Sequence, residues 1–448
     1  MVKGKLFKTD FGELWAFALP LLIEQTSVQL MPFVSSFISR GMGTQAVSGV
    51  NLVESINLFA SNIFIAISVG TTVVVSQYRG KRDPEAAGKA AFQAMKVSCY
   101  IALLTSISLL TFLNPAMNAF FGSNVEADLY YYARVYFISS LISYPFYSIY
   151  STSAATLRGS GQSRASLIGT VVMNISYIIS GLTLVNGFDM GIWGTGCALI
   201  FSRAAGMTAM LIMLPRSSRE SIIFPKFSFS LDMEALGPLV RVGLPICIEQ
   251  VLFSGGKLIT QRFAVGMSSQ QLSVNSIGNI FTGLFNIPGI TLNNVSIALV
   301  GRRIGAKDDQ GAKDLLDDML KLSFVVLTVY LLIWLPLMNP FFGLYTDDPF
   351  IISTLWKILL VTVIISPTIW VRSFLLSNGM KGAGDTRFTT IIAITSMFAF
   401  RVFFAYIFGV MLDYGVTGIW IGMFLDWIFR CIVFSIRFKS GKWLGKGI

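Results

Sequence analysis

Apolar runs of roughly 20 residues, the length that crosses bilayer hydrocarbon, recur from one end of the 448-residue chain to the other. Lipid offers the backbone no hydrogen-bond partners, so such runs close their own bonds as helices. Twelve spans are read: 12–38, 47–78, 92–113, 127–157, 165–186, 191–215, 235–262, 272–301, 315–337, 350–378, 388–410 and 414–437. Several exceed the crossing length, which implies tilt or projection beyond the lipid. The bulk numbers agree, with 54% of residues hydrophobic and 13% charged, too little charge to cover a soluble surface of this size. The first run carries Glu24 and returns later as an ordinary span, so it does not read as a cleavable signal.

That return is the second constraint. LPLLIEQ begins at Leu19 and LPICIEQ at Leu244, an offset of 225 residues with five of the seven letters identical. At the same offset Gly41 matches Gly266, Gly80 matches Gly305, Asp83 matches Asp308, and Asn114-Pro115 matches Asn339-Pro340. RGSGQSR (158–164) and KGAGDTR (381–387) share two glycines and a final arginine at an offset of 223. Each half holds six spans, an even number, so both halves start on the same side. The expected fold is an all-α membrane protein of twelve helices, in two six-helix bundles related by a pseudo-two-fold axis along the membrane normal. The lobes are expected at 1–215 and 235–448, with 216–234 as a basic linker.

Charge sets the orientation. Basic residues crowd the termini and the connections 79–89, 158–164, 216–226, 301–313 and 381–387. The alternate connections contain Arg40 as their one basic residue. The positive-inside rule puts both termini and the basic connections in the cytoplasm, and the membrane expected is the plasma (inner) membrane. The net charge of +11 lies mainly in these loops, where topology and lipid head groups account for it, and no nucleic-acid partner is expected.

The chain has no histidine, so proton chemistry rests on Asp and Glu, and histidine metal sites are excluded. No GxxxxGKS phosphate loop appears, which argues against ATP-driven transport within this chain. Cys99, Cys197, Cys247 and Cys431 are scattered through apolar segments without metal or disulfide spacing. No enzyme signature and no metal site is read, and no cofactor is expected.

At this point the chain resembles the multidrug and toxic compound extrusion (MATE) transporters of prokaryotes. The resemblance rests on twelve spans in two halves, a proline in the first span of each half, LRGSGQSR and MKGAGDTR after the fourth and tenth spans, and GMGTQAVSGVN at 41–51. It implies two bundles forming a V, cation-coupled antiport, and export of amphiphilic, often cationic, organic molecules. The chain departs from the family at its coupling positions. Ser35 stands where many members carry an aspartate late in the first span. Ile178 stands where a partner aspartate follows Asn174 by four residues. Phe253 stands where another branch has a glutamate in the seventh span, with Glu249 one turn nearer the proline.

The site is therefore argued from this chain. Glu24 and Glu249 lie some dozen residues inside their spans, on the order of 20 Å along the helix and near the bilayer centre. Each is expected either to bind the coupling ion, H⁺ or Na⁺, or to join helices with Gln25 and Gln250. Pro20 and Pro245 remove a backbone bond in the first third of their spans, giving a hinge or a static kink. Lys257, two turns after Glu249, either partners that glutamate or snorkels to the surface. Arg401 and Asp426 read as an ion pair fixing the second bundle, or as a solvated coupling-ion or substrate site. Asn174 joins the candidates through the resemblance. Glu54 and Arg203 are intramembrane charges without an assigned partner, and Arg372 and Lys357 sit nearer the ends of the tenth span. Asparagines 51, 57, 62, 275, 279 and 286 make the second and eighth spans partly polar, for a wet cleft or for helix-to-helix bonds.

The function expected is a cation-coupled antiporter, protons favoured over sodium, exporting amphiphilic organic compounds by alternating access. It would act as a monomer among membrane lipids. The alternative is a lipid or lipid-linked saccharide flippase of the same superfamily, to which Arg203, Lys257, Arg262 and Arg401 would offer an anionic-head-group site.

Overall fold

The computed structural model describes residues 11–39, 42–121, 126–217, 222–226, 228 and 230–448. Arg40 and Gly41, used above for topology and repeat, lie outside these residues, as do 122–125 and several positions of the linker. The first three spans are Phe11–Ser39, Thr44–Lys81 and Pro84–Thr111. A short helix, Leu113–Phe121, precedes the fourth span, Ala127–Gly159. The fifth, Ser163–Gly181, ends in a π-helical turn at Leu182–Gly187, and the sixth is Gly191–Ser217. The seventh is Met233–Val265. The eighth is two helices, Ser269–Phe285 and Ile287–Gly305, bent by 53°. Pro288, near the start of the second piece, has no N–H to bond the preceding turn, which accounts for the bend.

The ninth span is Asp309–Trp334. The tenth joins Pro349–Ile365 to Val371–Gly382 through a π turn at Ser366–Trp370. The eleventh starts as Thr386–Ser396 and carries two π turns, Met397–Val402 and Ile407–Met411, around Phe403–Tyr406. The twelfth is Gly415–Ser440.

Ten of these stretches are long and apolar enough to cross a membrane, and the bent eighth makes eleven. The fourth span is the remaining helix of the expected twelve. Its 33 residues suffice in length, but Tyr136, Ser139, Ser140, Ser143, Tyr144, Ser148 and Thr152 lower its hydropathy, and all of them are buried. A helix wrapped by other helices meets little lipid, so its polar groups are satisfied by neighbours.

The chain divides into two compact units, Leu19–Cys247 and Ile248–Ile448, the latter joined by the chain up to Ala18. The division falls inside the first and seventh spans, beside Pro20 and Pro245, not in the basic linker where the lobes were expected to part. In the first unit the fourth span packs against the second, third and sixth around Phe64, Tyr136, Phe137, Leu141 and Tyr144. In the second, Ile287–Gly305 lies on Val371–Gly382, and the eleventh and twelfth spans approach backbone to backbone. A Cβ on Gly418 would stand 2.4 Å from the Gly409 nitrogen.

The internal repeat is visible in detail. Arg82 and Lys307 both adopt left-handed φ (59° and 58°), and the following Asp83 and Asp308 each cap a helix by accepting a backbone N–H at 2.9 Å, from Ala86 and Gly311. Gly161 and Gly384, in the two glycine motifs, share a positive φ of 84° and 91°, which a side chain would strain.

Candidate functional site

Each glutamate of the repeated phrase is held by the base that opens the glycine motif of its own unit and by a hydroxyl just beyond that motif. Glu24 Oε1 accepts from Arg158 Nη1 at 2.8 Å, and Glu24 Oε2 accepts from Ser166 Oγ at 2.9 Å. Glu249 Oε1 accepts from Lys381 Nζ at 2.7 Å, and Glu249 Oε2 accepts from Thr390 Oγ1 at 3.2 Å. Both carboxylates are buried. Arg158 and Lys381 open the motifs RGSGQSR and KGAGDTR in the last turns of the fourth and tenth spans. Ser166 and Thr390 lie within the first two turns of the fifth and eleventh. The cation and hydroxyl offset the desolvation that a buried carboxylate suffers.

This geometry corrects three readings. The glutamates sit level with the basic ends of neighbouring helices, not halfway along them, because the first and seventh spans begin well before their neighbours end. Lys257 is not the partner of Glu249; Lys381 is. Gln25 and Gln250, both half-buried, make no side-chain hydrogen bond among the described residues, and Ser166 and Thr390 fill that role. Pro20 is buried and Pro245 half-buried, and both helices run on through them. Of the missed residues, Arg158, Ser166, Lys381 and Thr390, the two bases had a signal, the matching first positions of the aligned motifs at an offset of 223; the hydroxyls lie past the motifs and one residue out of that register.

The unassigned charges of the first unit have partners too. Glu54 accepts from Tyr136 Oη at 2.5 Å and from Asn57 Nδ2 at 3.3 Å. Asn57 also bonds Ser140 and takes a bond from Tyr144 Oη at 2.9 Å. Arg203 donates to Ser143 Oγ at 2.7 Å and lies over the Tyr147 ring, 4.8 Å from its centroid. Ser35, in the place of the family aspartate, accepts from Tyr177 Oη at 3.0 Å. Asn174 is buried, and its Nδ2 has no partner among the described residues.

In the second unit Asp426, fully buried, holds Arg430 Nε at 2.8 Å and faces Arg401 Nη1 at 3.9 Å. The expected Arg401–Asp426 pair is thus present, but Arg430 is the nearer base. Ser396 Oγ also bonds Asp426 and receives Arg430 Nε at 3.0 Å. Lys257, Arg401 and Arg430 gather over one ring, Phe253, at 5.2, 5.9 and 4.9 Å from its centroid. Asn275 bonds Gln261 and Trp420, so this asparagine of the eighth span ties helices together. Arg262, Lys357 and Arg372 are exposed.

Two similar six-span repeats, each with a buried carboxylate pinned to its glycine motif, define a multi-pass membrane transporter built by duplication. The MatE family model matches residues 20–183 and again 245–407, one match to each repeat. The chain belongs to that family and is a MATE transporter. It is 26% identical to a probable multidrug resistance protein NorM of Thermotoga maritima, over 96% of this chain and 92% of that one. It is 24% identical to a transporter of Bacillus subtilis, YisQ, over 97% of this chain and 95% of that one. Its fold superposes on the outward-facing conformation of a multidrug resistance MATE transporter of the MOP superfamily, with a TM-score of 0.83, 18% identity and 96% of each chain covered.

Proposed function

We propose that the protein is a cation-coupled antiporter, with protons favoured over sodium, that exports amphiphilic organic compounds or drugs by alternating access. It works as a monomer in the plasma membrane, with the termini and basic connections in the cytoplasm. Export of drugs is supported by the relatives named for multidrug resistance. Coupling is supported by one observation, the carboxylate–base–hydroxyl triad repeated in both units. A proton arriving on Glu24 or Glu249 discharges the carboxylate and removes its attraction for Arg158 or Lys381. The helix ends that the triad joins are then free to separate. Pro20 and Pro245, four residues before these glutamates, leave each helix a weak point at which that release becomes a bend. Asn174, Lys257, Arg401 and Asp426 are the remaining polar groups to which ion or substrate binding is assigned.

Gradient-driven uptake into proteoliposomes tests this reading, with ethidium and pyrene-1-sulfonate offered in parallel as cationic and anionic probes. A pH gradient is expected to drive uptake of at least one probe, and Glu24→Gln and Glu249→Gln are each expected to slow it by about tenfold or more, the equivalent of one lost charged contact. Unchanged rates in both variants overturn the coupling assignment. A response to a sodium gradient alone replaces the ion.

A further inference from the structure

The second unit carries an imbalance of charge that the coupling scheme leaves unused. Lys257, Arg401 and Arg430 converge on Phe253, and among the described residues Asp426 is the one acid beside them. The formal sum is two positive charges in excess, inside helices that cross lipid. Arg430 is satisfied, through Asp426, Ser396 and the Ala393 carbonyl. The other two are not. The Lys257 ammonium forms no ion pair or hydrogen bond among the described residues and has the Phe253 ring as its contact. Among the described residues the Arg401 guanidinium, with five N–H donors, meets one acceptor, Asp426 at 3.9 Å, besides the Phe253 ring. Unpaired cations in a membrane domain are costly, so they are retained where a counter-charge arrives.

Access and surroundings fit a visiting anion. Arg430 and Asp426 form the buried floor, Arg401 and Phe253 are half-buried, and Lys257 is exposed. Arg401 sits in a π-helical turn, where the wider backbone shifts its side chain out of the regular helical register. Beside it runs a ladder of half-buried rings: Phe400 stacks on Phe429 at 4.3 Å, and Phe404 and Phe408 continue it at 6.0 and 5.7 Å. A cationic ligand would meet the excess positive charge, and the one carboxylate is already held. An oxyanion would give the donors of Lys257 and Arg401 an acceptor, while the ladder takes an aromatic body.

We propose that this cluster recognises the anionic group of the substrate, a carboxylate or sulfonate on an aromatic amphiphile. The proposal rests on the export reading and names the substrate class for it. It is tested by equilibrium dialysis of pyrene-1-sulfonate against the full-length protein in phosphatidylcholine nanodiscs, with empty nanodiscs as background. Specific binding is expected, weakened about tenfold or more by Lys257→Gln and by Arg401→Gln, as when a charged hydrogen bond is lost. Lys257→Arg, which keeps the charge, is expected to retain binding. Absence of binding above background, or affinity unchanged in both Gln variants, overturns the proposal. So does loss of specific binding when a share of the phosphatidylcholine is replaced by phosphatidylglycerol, with empty nanodiscs of the same mixture as background, which would make the site a lipid head-group contact. Ethidium transport in the proteoliposome assay without pyrene-1-sulfonate binding would leave the exporter standing and remove this inference alone.

Discussion

A carboxylate taken out of water into a helix bundle is stabilised only if a cation and a donor meet it there, and Glu249 has both in Lys381 and Thr390. Removing the cation strands the charge. Lys381→Met is therefore expected to destabilise the protein by about 3–5 kcal/mol, the range for breaking one side of a buried pair. Adding Glu249→Met is expected to restore most of the loss, because an apolar pair of similar volume carries no desolvation cost. Thermal unfolding in detergent reads both, and a double variant as unstable as the single would show that the pair is not the source. Arg158 is more exposed than Lys381, 18% against 6% of its side chain, so Arg158→Met is expected to cost less. At this scale the glutamates were legible in the sequence and their partners were not. Phe253 was legible as the position lacking the family glutamate; that three cations surround its ring appears only after the seventh, eleventh and twelfth spans are folded together.

Between helices the question is how close backbones come and what fills the gap. Gly418 and Gly422 of the twelfth span lie against Gly409 and Ala405 of the eleventh, and a Cβ at either would stand within 2.7 Å of backbone. Backbone cannot rotate away as a side-chain tip can. Gly418→Val is expected to cost about 1–3 kcal/mol, as overpacked cores do. Gly255, in the interior of the seventh span with open space around its Cβ position, is the contrast: Gly255→Ala is expected to be neutral or to gain up to about 1 kcal/mol from helix propensity. Equal losses in the two variants, measured by the same unfolding assay, would count against the close-approach explanation. The fourth span makes the complementary point. Its hydropathy alone undersells it as a membrane helix, since Tyr136, Tyr144 and the serines around them are buried and bond within the unit.

The whole molecule is a duplication, and the proposed orientation follows from where its bases lie. In a background with the four cysteines replaced, Lys89→Cys is expected to react with an impermeant maleimide only after vesicles of native orientation are opened. Asp413→Cys is expected to react from outside at once. The reverse pattern would invert the topology. Asp413 and its counterpart Asp189 share a left-handed φ of 54° and 52°, so both sit in matching turns of the two repeats.

Periodic apolar length, the repeated phrase and the placement of bases determined the helical class, the two-fold repeat and the family, because each is a property of residues near one another in the chain or at a fixed offset. Tertiary structure alone decided which acid meets which base. Glu24 and Arg158 are 134 positions apart, as Asp426 and Lys257 are far apart along the chain, and only helix packing brings such groups within reach of one another. It also decided depth, since counting residues along one helix measures distance from that helix's own start and not from the ends of its neighbours.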